Sequence, residues 1–251
     1  MIESLIIALI QGITEFIPVS SSLHIILVSD IMNFKKFLLT SVSVHLGSLI
    51  ALILFMFKNK DLNLILKDYK LIIRLLVFCV SPLFIIGFLM FSFFSQNLGI
   101  SYFTIFFTLF FGIFLIIIDN LESKKNDIKN LSIKDLLIIG LFQCLSLIPG
   151  TSRSASIIIV SRFVGLNNES SIKLSLILSF PVILGAFSLT FFNYFESISF
   201  NISSVILDII FSFIISYFAI KIFYKFSSAR GFRFFGVYRI ILSIFLLIYY
   251  F

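Results

Sequence analysis

Six apolar runs along the chain are long enough to cross a bilayer, which takes ~20 residues per helical crossing. They are Leu39–Phe57, Leu71–Phe94, Ile100–Ile118, Leu174–Phe192, Val205–Phe223 and Val237–Phe251. Each predicts a transmembrane helix, and Pro82 inside the second predicts a kink there. Two further apolar segments break off in their middles. Leu5–Gly12 leads to Glu15, Pro18, Ser20–Ser22 and His24 before Ile25–Val28 resumes. Leu136–Ile148 leads to Pro149, Gly150 and Thr151–Ser154 before Ile157–Val160 resumes.

Set one above the other, LIIALIQGITEFIPVSSSLHIILVS and LIIGLFQCLSLIPGTSRSASIIIVS share an apolar half-helix, a Gln, a Pro, a Ser-rich turn and a second apolar half-helix. From Gln11 to Pro18 is seven positions and from Gln143 to Pro149 is six, so the copies differ by one residue. Each broken segment is followed by three full spans. Three is odd, so the second copy is expected upside down relative to the first. Inverted repeats with interrupted helices point to a binding site near the membrane midplane. The expected architecture is therefore an all-α membrane protein, an inverted repeat with two re-entrant broken-helix hairpins and about six full spans. It forms a single membrane domain over 1–251, with repeat one at 1–118, a cytoplasmic linker at 119–135 and repeat two at 136–251.

Composition agrees. Of 251 residues, 60% are hydrophobic and 12% charged, and the mean hydropathy is +1.16, well beyond the roughly 45–50% apolar content of soluble domains. The net charge of +7 does not indicate nucleic acid, which needs a contiguous basic patch; here Lys and Arg cluster in short loops and act as topology signals. Lys58–Lys70 carries four Lys against two Asp, 119–135 carries four Lys, and Lys221–Arg233 is purely basic, whereas Ser95–Gly99 and Asn193–Ser203 have no Lys or Arg. The basic loops are thus expected in the cytoplasm, with the first broken segment entering from the outer face, the second from the cytoplasmic face, and their tips meeting. Cys79 and Cys144 lie in apolar stretches and suggest neither a disulfide framework nor a zinc site. Residues 1–29 lack a basic start and carry Glu3, Glu15, Pro18 and His24, so they read as part of the mature protein rather than a signal peptide.

Broken backbone inside a bilayer is tolerated only where it is buried in protein or lines a wet cavity. Free N–H groups at the start of the returning half-helix, with the positive end of its dipole, favour an anion. Ser20, Ser21 and Ser22 add hydroxyls in one turn; Thr151, Ser152 and Ser154 add them in the other, beside Gly150. Arg153 supplies a permanently charged fork suited to phosphate. An intramembrane carboxylate such as Glu15 is functional by default, either binding a divalent cation or holding Arg153. His24 is suited to nucleophilic attack on phosphorus, or to act as a base for Ser or water. His45, before Gly47, is a candidate for the same cavity. Arg74 and Asp208 are expected to snorkel from span ends, and Tyr238-Arg239 to anchor the last span at the interface.

The string from Gln11 through Glu15, Pro18 and Ser20-Ser21-Ser22 to His24 resembles the first signature of the undecaprenyl-diphosphate phosphatase family, the bacitracin-resistance type. Gln143 to Pro149-Gly150-Thr151-Ser152-Arg153-Ser154 resembles its second, and the likeness extends through His45-Leu46-Gly47-Ser48 and from Phe180-Pro181 to Gly185-Ala186. The resemblance implies a multi-pass enzyme of the bacterial inner membrane, open to the periplasmic side. Its expected reaction removes the terminal phosphate of undecaprenyl diphosphate, recycling the carrier for peptidoglycan and conferring bacitracin resistance. It implies catalytic roles for Glu15, Ser21, His24 and Arg153. Substrate contacts are expected from Gln11, Ser20, Ser22, Gly150, Thr151, Ser152 and Ser154, and a divalent cation, Mg2+ or Ca2+, at Glu15 and Gln11. Three positions depart from the family pattern: Leu23 and Ala155 stand in place of Gly, and Ile157 in place of a Thr hydroxyl. The expected partners are the polyprenyl diphosphate lipid and the bilayer, with no nucleic acid; a homodimer is compatible with the sequence. The rival readings are a transporter or flippase of a phosphorylated polyprenyl lipid, which also uses inverted half-helices, and a structural membrane subunit.

Overall fold

The computed structural model describes residues 2–33, 37–89, 100–194 and 202–251. All regular structure among them is helical apart from one isolated bridge between Lys125 and Leu166. In chain order the helices are α1 (Ile2–Thr14), α2 (Ser21–Met32), α3 (Phe37–Lys58), α4 (Lys60–Leu66), α5 (Tyr69–Leu75), α6 (Ser81–Leu89), α7 (Tyr102–Ile117), α8 (Ile133–Gln143), α9 (Arg153–Phe163), α10 (Asn168–Tyr194), α11 (Ile202–Arg230) and α12 (Arg233–Tyr250).

Among the described residues six stretches are long and apolar enough to cross a membrane: Thr40–Lys58, Tyr69–Leu89, Tyr102–Asn120, Asn168–Phe191, Ser203–Arg230 and Arg233–Tyr250. They correspond to the six apolar runs, and the chain is a multi-pass all-α membrane protein. Residues 90–94 of the second run, the 95–99 loop and most of the 193–203 loop lie outside the described residues. Helix ends overshoot the apolar runs, because polar residues continue a helix as long as its backbone bonds are made: α11 extends to Arg230, and α12 begins at Arg233 rather than Val237.

The expected kink at Pro82 is a change of winding. Leu76–Val80 forms a π turn joining α5 to α6, which absorbs the hydrogen bond that a proline nitrogen cannot donate. The Ser81 hydroxyl donates to Val77 O at 2.5 Å.

The two interrupted segments are helix–turn–helix units of similar build. α1 and α2 have 13 and 12 residues, α8 and α9 have 11 each; at 1.5 Å per residue each is about 16–20 Å long, too short to cross ~30 Å of hydrocarbon. Long helices clamp them. α11 packs along α3 and α1, with Gly12 set where a Cβ would come 2.8 Å from the Ile215 side chain. The α3–α11 seam is polar inside: Ser48 Oγ lies 3.1 Å from Ser212 Oγ and 2.9 Å from Ser216 Oγ, the small-residue, hydroxyl-bonded contact that holds helices where water offers no driving force. α12 packs on α7, and Gly112 faces Gly236 closely enough that a Cβ on Gly236 would sit 2.6 Å from Gly112 O.

Arg74 and Asp208 are not free snorkelling charges. Arg74 donates to Leu131 O at 2.9 Å, and Asp208 is buried and hydrogen-bonded to Ser4. Helix packing, rather than sequence distance from a span end, decides whether a charged head reaches water.

Candidate active site

In both breaks the apolar half-helix stops, the backbone turns through a serine of positive φ, and a new helix starts. Ser20 has φ 73° before α2, and Ser152 has φ 72° before α9. A non-glycine residue there is strained, a conformation that clusters at functional sites. Gly150 adds φ +90° in the second turn, and a Cβ on it would come 2.5 Å from Thr104 O; only glycine fits.

The turns meet. Glu15, at the end of α1, is buried and receives three side chains. Gln11 Nε2 donates to Glu15 Oε2 at 2.6 Å from one helical turn earlier. Ser21 Oγ donates to Oε2 at 2.8 Å from the first turn of α2. Arg153 Nη2 donates to Oε1 at 2.8 Å from the opposite turn. Ser154 Oγ reaches across to Ile17 O at 3.0 Å. Ser20 Oγ lies 3.3 Å from Ser22 Oγ, and Ser152 Oγ 3.1 Å from Ser154 Oγ. His45 of α3 is an electrostatic neighbour of Glu15, with Nδ1 held by Ser41 O at 2.6 Å.

His24 lies three residues after Ser21, hence on the same side of α2. Its Nδ1 is 2.7 Å from Ser20 O. Its Nε2 is 2.6 Å from the Tyr238 hydroxyl.

Every residue of the sequence-derived site belongs to one of these two turns or to the helix ends that flank them, but their situations differ. Ser21, His24 and Arg153 are partly exposed and Ser22 is exposed, whereas Thr151, Ser152 and Ser154 are buried. Ser152 Oγ caps α9 by accepting from Ala155 N at 3.3 Å, while the start of α2 has no side-chain cap. The uncapped, anion-favouring N-terminus is therefore that of α2, behind Ser20.

Several buried polar atoms have no partner among the described residues: Gln11 Oε1, Arg153 Nε and Thr151 Oγ1 here, and both ends of the Gln143 amide. In native interiors such atoms normally bond protein or water. Arg153 Nε beside an uncapped helix start is a donor set suited to phosphate oxygens. Ile157 is fully buried in the apolar core.

Arg239 was misjudged as an interface anchor: α12 begins four residues before the apolar run, which carries it inward, while Tyr238 turns its hydroxyl to His24. Arg239 is fully buried; its guanidinium donates to Pro18 O at 3.2 Å, Thr108 O at 3.2 Å and Gly150 O, tying both turns to α7. The usable signal was the cost of an arginine inside an apolar helix, had the helix been started at Arg233.

The chain matches the family described as "Bacitracin resistance protein BacA" over residues 4–245. It is 37% identical to a protein of Pelagibacter ubique named "Undecaprenyl-diphosphatase", over 99% of this chain and 97% of the relative. It is 33% identical to a protein of that name from Sulfurihydrogenibium, over 99% of each, and 33% identical to one from Clostridium tetani, over 99% of this chain and 96% of the relative.

Proposed function

The chain belongs to the bacitracin resistance protein family, and we propose that it hydrolyses undecaprenyl diphosphate to undecaprenyl phosphate and inorganic phosphate at the junction of its two broken segments. One observation carries the assignment of the site: Glu15 holds a hydroxyl of its own turn and an arginine of the other turn at once.

Ser21 is the nucleophile in this reading. Glu15 Oε2 already accepts its proton-bearing bond, the arrangement of an activated serine. As Ser21 Oγ bonds the terminal phosphorus, its proton passes to Glu15, and the bond from phosphorus to the bridging oxygen breaks. The electron pair leaves on undecaprenyl phosphate, whose oxygen takes that proton from Glu15 and so returns the carboxylate. Water then attacks the phosphoserine with Glu15 as base, and the proton returns to Ser21 as phosphate departs. Arg153 and the uncapped amides of α2 bind the phosphoryl oxygens, where charge develops. The Ser152, Thr151 and Gly150 turn holds Arg153 in place. His24 does not attack in this reading; it stands beside Ser21 as an acid–base group, with Nδ1 held by Ser20 O.

A divalent cation, Mg2+ or Ca2+, fits the donor set. Glu15 offers a carboxylate, and Gln11 a buried amide oxygen without a partner. Among the described residues no three His, Cys, Asp or Glu side chains group to hold a metal, so substrate oxygens would complete the coordination, the usual habit of Mg2+. Such an ion would neutralise phosphate charge and polarise the phosphoryl group. The two hairpins are re-entrant and of opposite orientation in this reading, with the site open to the periplasmic side of the inner membrane. The basic loops support that orientation.

Reconstituted protein incubated with undecaprenyl diphosphate and Mg2+ is expected to release phosphate. Acid-stable phosphoserine should be trapped at Ser21, whereas acid-labile phosphate on His24 would replace this mechanism by attack from the imidazole. Absence of phosphate release would remove the enzymatic reading.

A further inference from the structure

Tyr238 is the aromatic residue that the chemistry above leaves unused. It comes from α12, far along the chain from the Pro18 turn, yet its hydroxyl lies 2.6 Å from His24 Nε2 and the two rings are stacked 12° from parallel. We infer that Tyr238 is a positioning residue that fixes the His24 imidazole in one tautomer and one direction beside Ser21. This rests on the phosphatase reading of the Pro18 turn.

Ser20 O has no proton to give, so Nδ1 at 2.7 Å is the donor. In the neutral ring the lone pair is then on Nε2, and the phenol donates to it. The ring is held from both sides, as a catalytic imidazole must be if its reactive nitrogen is to point one way.

The register that delivers Tyr238 does not depend on this bond. The neighbouring Arg239 is locked to Pro18 O and Gly150 O, and one turn or more further along α12, Leu242 and Leu246 pack with Leu23 and Leu27 of α2 in a small apolar cluster. The Tyr238 side chain is 39% exposed, so its removal leaves no sealed cavity. A hydroxyl deletion therefore tests position rather than folding.

The chain has two histidines, which makes acylation by diethyl pyrocarbonate, followed by peptide mass spectrometry, a direct readout in lipid nanodiscs. In Tyr238→Phe, His24 is expected to be acylated severalfold faster than in wild type, while His45 keeps its rate as the internal reference. An unchanged His24 rate overturns the inference, whether or not the protein proves to be a phosphatase; phosphate release by wild type decides that separately. On undecaprenyl diphosphate, Tyr238→Phe should lower kcat about tenfold, the scale of a modest misplacement at a reacting centre, with KM within twofold. The same substitution made on His24→Ala should change kcat no further. Additive losses, or a kcat equal to wild type, would reduce Tyr238 to a packing residue.

Discussion

The two turns share a sequence pattern and a backbone path, and differ in which polar groups they use up. In the Pro149 turn, Ser152 caps its helix, Ser154 reaches Ile17 O, and Gly150 O is claimed by Arg239. In the Pro18 turn the helix start has no side-chain cap, Ser22 is exposed, and Ser21 bonds a carboxylate rather than backbone. One turn bonds its serine hydroxyls to backbone and to each other and leaves Thr151 Oγ1 buried without a partner, and the other bonds its serines to a carboxylate and to each other at an exposed edge. Arg153 is the exception that joins them, anchored in the closed turn and used in the open one. A repeated motif thus need not mean a repeated site; the deciding quantities are what each hydroxyl bonds and how exposed it is.

The sharpest break of this comparison is at Glu15, where the two turns are joined. Glu15→Gln keeps the shape and removes the base, so phosphate release should fall roughly 10³-fold, within the range of general-base deletions; near-wild-type turnover would move the chemistry to His24. Arg153→Lys keeps the charge and loses the planar fork, with an expected fall in kcat/KM of about 10²-fold, the scale of one lost transition-state donor. A structural-subunit reading predicts no effect from either.

Stability should separate the turns next. Gly150→Ala forces a Cβ onto φ +90° against Thr104 O and is expected to cost about 2 kcal/mol or more, read as a lowered melting temperature in detergent. Ser20→Gly relieves a positive φ without removing a cap, so it should raise stability by about 1 kcal/mol. Ser152→Ala keeps the strain and loses the cap, a cost of about 1 kcal/mol. Equal responses of Ser20 and Ser152 would erase the distinction between an open and a closed turn.

The smallest effect concerns how the closed segment is anchored. α8 begins with a capping box in which Ser132 and Asp135 satisfy one another's backbone N–H groups, and Lys125 Nζ lies 2.6 Å from Asp135 Oδ2. Partial burial works to raise the Asp135 carboxyl, but Lys125 and the Ser132 bonds outweigh it and hold it below the usual carboxylate value. A carboxyl lowered by folding contributes stability above its unfolded pKa and loses it as pH falls through the folded one. Acidification below about pH 4 should therefore increase hydrogen exchange at the α8 start more than at the α1 start, and Asp135→Asn should abolish the difference.

Much of the molecule was legible without coordinates. The six spans followed from lengths of apolar sequence, since a bilayer filters for length and hydrophobicity, and the two interruptions stood out because a Pro and four or more polar residues cannot be hidden in hydrocarbon without a partner. Glu15, Arg153 and the serines were singled out by that logic, and the contact between Glu15 and Arg153 agrees with the expectation that the tips meet. The placements of Tyr238 and Arg239 were not legible. Their positions depend on where α12 starts and on its register against α2 and α7, which are set by side-chain packing between segments more than a hundred residues apart. The sequence alone likewise named the hydroxyls of both turns but not which were already bonded. That distinction belongs to tertiary structure, because a donor is free or spent only relative to the acceptors that folding brings within about 3 Å.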